Sequence, residues 1–213
     1  MRDIRLRCKR MLADVMPVRT ALLAVLCFWA LCVASPLSAD QNADELPGLF
    51  SELQSATSAE AAARVEAEIW LQWLKIDDQK SSELLNQIVA AMETRDLDEA
   101  LTASDELVSH NPDFAEGWNK RATVNYLMGR YESSVYDIRQ TLLREPRHFG
   151  AISGLGLIFL RKGDLPSALE AFERVLEISP QSINAQRSAE SVKGQIGEEI
   201  YCLLYTSPSP RDS

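Results

Sequence analysis

This sequence predicts an all-α chain of stacked helical hairpins, and three recurring intervals predict it. Pro112, Pro146 and Pro180 stand 34 residues apart. Gly129 and Gly163 repeat the interval, and so do Leu97, Tyr131 and Leu165. Small residues keep the same phase at Ala100, Ser134 and Ala168. A constant period of this length marks a solenoid: each unit is too small to bury its own apolar face and stacks on its neighbours.

Residues 40–46 suggest a flexible start. From 47 to 80 the apolar positions Ala62, Val65, Ile69, Trp73 and Ile76 recur at helical spacing, with Trp70 and Leu74 widening the stripe. This stretch is out of phase with the hairpins after it. It is expected to form a helical N-terminal cap on the first hairpin, with Trp70 and Trp73 stapling that otherwise exposed edge.

Three hairpins then span 81–114, 115–148 and 149–182. The prolines end each second helix, because proline lacks an N–H and biases its predecessor out of the α region. Gly129 and Gly163 fall where the first helix turns into the second, a position needing φ > 0. Asp96 with Glu99, and Asp113 with Glu116, suggest capping boxes. Pro166 follows Asp164 in a first turn, where a missing N–H is tolerated. Ala122 and Gly156 are small where helices press together, and Trp118, Ile138, Phe159 and Phe172 are among the large residues filling the gaps. Residues 183–200 continue the phase as a further first helix with a thin apolar face, a C-terminal cap.

The stations Trp118, Ala122, Gly129, Tyr131, Ser134 and Pro146 resemble the tetratricopeptide repeat. So do Leu155, Gly156, Phe159, Gly163, Ala168, Phe172 and Pro180. The first hairpin departs from the pattern at Ile88, Arg95 and Ser104, where a small residue, a glycine and an aromatic are usual. The resemblance implies a right-handed solenoid whose first helices line a concave groove that holds a protein or peptide partner. Carried over in phase, the groove residues are Leu85, Val89 and Met92, then Asn119, Thr123 and Tyr126, then Ser153, Leu157, Leu160 and Arg161, with Asn184 and Arg187 beyond. Asn119 suits a peptide backbone, and Arg161 and Arg187 suit a carboxylate. The family's carboxylate clamp of lysines and asparagines is not matched, so capture of a C-terminal carboxylate is not implied. The competing reading is that the caps bury some of Leu85, Val89, Leu157 and Leu160.

The two ends differ from the body. Residues 1–39 suggest a signal peptide: a basic start containing Arg2, Arg5, Arg7, Lys9 and Arg10, an uncharged run over 21–34, and Ser38-Ala39 before the expected cleavage. Fourteen residues make a helix of about 21 Å, short of the ~30 Å hydrocarbon core. Cleavage is therefore expected, and a retained inner-membrane anchor is the alternative. Cys27 and Cys32 lack the preceding small residue that a lipid anchor requires. Residues 201–213 carry two prolines and no helical period. They resemble a translated sequencing-adaptor tail and are expected to be disordered, with the native chain truncated near Ile200.

Composition narrows the function. The formal charge is −9, which argues against nucleic acid as a partner. All four cysteines, Cys8, Cys27, Cys32 and Cys202, lie outside residues 40–200, so the body has no thiol chemistry. His110 and His148 are expected to be solvated turn residues rather than metal ligands. Gly154-Leu155-Gly156 lacks the strand and third glycine of a phosphate loop and fits close helix packing. No nucleophile–base set suggests itself, and no cofactor or metal is implied. The chain resembles the small periplasmic tetratricopeptide proteins of Gram-negative bacteria, and with the signal-like start this implies a non-catalytic, exported interaction module of the bacterial cell envelope, the periplasm. A membrane-anchored assembly factor is the alternative.

Overall fold

In the computed structural model the described residues are 45–206, with side chains through Glu198. The signal-peptide expectation, most of the flexible start and residues 207–213 fall outside them. Among the described residues there are nine helices and no strand. An N-terminal pair, α1 (Leu46–Ser55) and α2 (Ala59–Trp73), precedes three hairpins: α3 (Gln79–Thr94) with α4 (Leu97–His110), α5 (Ala115–Leu127) with α6 (Tyr131–Arg144), and α7 (Phe149–Lys162) with α8 (Leu165–Ile178). The last helix is α9 (Ile183–Thr206).

Local chemistry sets the helix ends. Ser58, Asp78, Asp96 and Asp164 each accept a backbone N–H three residues on, satisfying an otherwise orphaned donor. The second expected capping box is absent. Phe114 occupies the N-cap of α5 without a side-chain bond, and Glu116 is turned inward. Gly129 and Gly163 take φ of 74° and 75° at the ends of α5 and α7. Arg95 ends α3 at φ 61°, in the same left-handed conformation without a glycine's freedom. Arg95→Gly is therefore expected to stabilise the protein by about 1 kcal/mol, measurable as a higher urea midpoint. An unchanged or lower midpoint would show that the arginine costs nothing there.

Packing between hairpins follows the small residues. A Cβ built on Gly156 would meet the Phe172 ring at 2.6 Å, so α7 crosses α8 at that glycine. Phe172 is buried beside Ala168 and Leu165 and has no room to swing aside. Gly156→Leu should cost about 1–3 kcal/mol through overpacking, read as a drop in melting temperature. Arg121 joins three helices on the other side of α5: it pairs with Asp105 of α4 at 2.8 Å and with the buried Asp137 of α6 at 2.7 Å. Asn125 donates to the same Asp137.

Three expectations need correction. The N-terminal pair does not cap the first hairpin. Leu46, Phe50, Leu53, Val65, Ile69 and Trp73 form one core with Phe149, Ile152, Val175 and Ala185, so the pair docks on the third hairpin and the start of α9. Gln54 also donates to the Glu177 carbonyl, and Ser179 donates to Glu66. The flexible start ends sooner than expected, because Leu46 opens α1 and is buried. The expected disordered tail is helical at its beginning, since α9 runs through residues 201–206.

Candidate functional site

The first helices of the second and third hairpins bound a cleft of about 160 Å³. Asn119, Ala122, Thr123 and Tyr126 line it from α5, and Gly150, Ala151, Ser153, Gly154 and Leu157 line it from α7. Ser134 and Ile138 of α6 close its floor. Helical spacing puts each set on one face of its helix. The space exists in part because α7 offers serine and glycine at 153 and 154, while α5 offers the short Asn119, Ala122 and Thr123.

Of the predicted groove residues, the structure gathers Asn119, Thr123, Tyr126, Ser153 and Leu157 around this cleft. Arg161 donates to the Tyr126 hydroxyl at 3.3 Å and stands exposed at the rim. Val89 and Leu157, 68 residues or two repeats apart, are 40% and 42% exposed, but Val89 does not line the cleft. Leu85 does not line the cleft: it is 8% exposed, packed in the first hairpin's core, with Met92 partly buried against that core. Leu85 is apolar at the station where the next hairpin has Asn119, and it turns into its own core. Leu160 packs partly against the α8–α9 core, and Arg187 and Asn184 are exposed on α9, outside the cleft. Repeat phase alone does not pick out Gly150, Gly154 and the floor residues as groove formers. Glycines four apart on one helix face were the available signal.

Beneath Asn119 lies a buried polar chain. Glu116 and His148 are each 0% exposed, and the His148 Nε2 lies 3.0 Å from the Glu116 Oε2. The Ala151 N–H donates to His148 Nδ1 at 3.1 Å, which makes His148 the N-cap of α7. Nδ1 must accept, so the hydrogen sits on Nε2 and is donated to Glu116. Asn119 Nδ2 donates to the same Glu116 oxygen at 3.0 Å, and Lys120 Nζ pairs with Oε1 at 3.0 Å. Burial pushes the Glu116 carboxyl up, but His148 and then the Lys120 ammonium pull it further the other way, so it ends below the ordinary glutamate range.

His148 thus overturns its expectation as a solvated turn residue. The N-terminal pair covers the α6–α7 turn, with Trp73 stacked on the imidazole at 4.1 Å between centroids. Trp70 crosses the same ring edge-on and rests on Gly150, where a Cβ would meet it at 2.7 Å. His110 is half-exposed and bonded to Asp78 at 2.9 Å. The hydrogen bonds from Ser81 hold the Asp78 carboxyl at about 2. Among the described residues no cluster of three or more His, Cys, Asp and Glu side chains could hold a metal, and no helix is long and apolar enough to cross a membrane.

Three hairpins turned through a left-handed residue and stacked side by side, the last two sharing a cleft between their first helices, define a helical-repeat solenoid. The chain belongs to the tetratricopeptide repeat family. The profile of that repeat matches residues 85–138 and 128–183. A TPR repeat-containing protein of Rhizobium etli is 36% identical over 155 residues, covering 73% of this chain and 74% of the relative. The small glutamine-rich tetratricopeptide repeat-containing protein 2 of Saccharomyces cerevisiae is 26% identical over 136 residues, covering 63% of this chain but only 39% of the yeast protein. Among solved structures, the Sgt2 TPR domain of Aspergillus fumigatus superimposes with a TM-score of 0.56 at 23% identity, over 64% of this chain and 89% of that domain. The first TPR of Spaghetti (RPAP3), bound to the HSP90 peptide SRMEEVD, gives 0.54 at 19% identity, over 57% and 99%. At these identities the structures establish the shared fold.

Proposed function

We propose that this protein is a non-catalytic interaction module of the bacterial cell envelope that holds a peptide segment of another protein in the groove between its first helices. The cleft between α5 and α7 carries this reading. It is preformed, part polar and part apolar, and rimmed by exposed Leu157 and Arg161. A rigid surface of this kind loses little ordering entropy on binding. A solenoid of the same fold that holds an HSP90 peptide supplies the precedent for a peptide ligand. The basic start and apolar run of residues 1–34 support export.

The test is affinity capture from envelope extract with the tagged wild type and with Asn119→Ala/Arg161→Ala, after melts show both folded. A partner recovered by the wild type and at least tenfold depleted with the variant is expected. Equal recovery by both would remove the groove from the function. Export is checked separately by sequencing the N-terminus of the soluble periplasmic form. Asp40 as first residue is expected, and a membrane-bound form with an intact N-terminus would favour the anchored alternative.

A further inference from the structure

We propose that the cleft selects an internal, uncharged stretch of its partner, taking one side chain of leucine or methionine size and a backbone N–H beside it, and that it rejects a terminal carboxylate. This deepens the peptide-groove reading above and rests on it.

The direction of Asn119 decides the polar half. One Nδ2 hydrogen is donated to the Glu116 carboxylate, and a carboxylate can only accept. That bond fixes which end of the amide is nitrogen and which is oxygen. Asn119 is 8% exposed and lines the cleft, and its Oδ1 has no hydrogen-bond partner among the described residues. The residue is buried but this oxygen is not sealed off, so it is an acceptor open to the cleft and takes an N–H from whatever displaces water there. A peptide backbone supplies one.

Charge excludes the alternative ligand. The negative Glu116 lies directly beneath Asn119. Lys120, the cation on the same turn, already pairs with it, and its ammonium also lies 6.0 Å from the Trp70 ring centroid. At the rim, the exposed Arg161 guanidinium gives one N–H to the neutral Tyr126 hydroxyl and keeps its charge, but it stands outside the lining. A carboxylate inside the cleft would lie above a buried anion, with no cation among the lining residues.

Size and lining decide the apolar half. An apolar cavity of about 150 Å³ takes a benzene ring, so about 160 Å³ takes one branched aliphatic or thioether side chain. Ala122, Ile138, Gly154 and Leu157 give it apolar walls. Gly154 is the sensitive wall: a Cβ there would lie 3.3 Å from Ile138 Cδ1, so a larger residue projects into the cavity.

The experiment is selection of a random dodecapeptide library, displayed with both free and blocked C-termini, against the full chain and against Gly154→Val and Leu157→Glu. Thermal melts first confirm that both variants fold; Leu157 is exposed, so its substitution keeps the test available if Gly154→Val does not fold. The expected result is a shared motif with Leu, Ile or Met at one position, independent of C-terminal blocking. The corresponding synthetic peptide should lose at least tenfold in affinity on each folded variant, and again when one backbone nitrogen next to the apolar residue is methylated. Enrichment of acidic C-terminal motifs, or indifference to N-methylation, would overturn this specificity while leaving the groove as a peptide site. No enrichment on the wild-type chain would overturn both.

Discussion

Trp73→Ala should destabilise the protein by about 3–5 kcal/mol and release the N-terminal pair from the third hairpin. Trp73 is 5% exposed and meets four rings. His148 stacks on it at 4.1 Å, Phe149 lies at 4.9 Å, Trp70 crosses it edge-on at 5.2 Å, and Phe50 lies at 6.2 Å. Truncation removes the ring area from this core and leaves a void that the rigid α6–α7 turn cannot close. The indole N–H adds nothing to offset this loss, because it finds no acceptor among the described residues. Trp73→Phe, which discards that unmatched donor and keeps an aromatic plate over His148, should lose less than half as much. Urea unfolding measures both. Trypsin gives a second readout: the exposed Lys75, between α2 and α3, should be cut much faster in the alanine variant. A resistant Lys75 with a stability loss under about 1 kcal/mol would mean that the pair is held elsewhere.

The repeat was legible because it is one-dimensional. Pro146, Gly163 and Ala168 each answer a local backbone or packing need, and their spacing reports it without knowledge of the tertiary fold. Arg95 was legible as an exception, and its positive φ shows that the backbone keeps the turn whichever residue stands there. The docking of α1 and α2 was not legible. An apolar stripe says that a helix is buried but not against what, and Trp73 meets His148 across 75 positions of sequence. The consequence reaches further: a pair placed on the first hairpin leaves the α6–α7 turn uncovered and His148 in solvent. Glu116 misleads for a related reason. Its place three residues after Asp113 suits a capping box, but a buried imidazole one repeat away competes for the carboxylate and wins. The cleft was half legible. Asn119 and Ser153 share a phase, whereas part of the depth comes from the side chain missing at Gly154.

Removing the Glu116 carboxylate should be the other large loss. Glu116→Ala takes the common partner from the His148 Nε2–H, the Asn119 amide and the Lys120 ammonium, and leaves the His148 donor orphaned where water does not reach. Breaking a buried pair from one side costs about 3–5 kcal/mol. Glu116→Gln keeps the shape and one acceptor oxygen, so it should cost about 1.5–3 kcal/mol, the range for a hydrogen bond to a charged group. The pH dependence has a definite sign. The folded carboxyl lies below the ordinary glutamate value of about 4.3. Its contribution is therefore complete above that value and is lost as pH falls through the lower, folded one. At neutral pH the wild type should exceed Glu116→Gln by the full difference. Below about pH 4 the gap should narrow, because a protonated glutamate and a glutamine are nearly the same group. Urea midpoints for both proteins, from neutral pH down to the acid limit of folding, measure that gap. If it held constant throughout, the carboxylate would not be the charged partner of His148 and Lys120 in solution, and the fixed orientation of Asn119 would lose its cause.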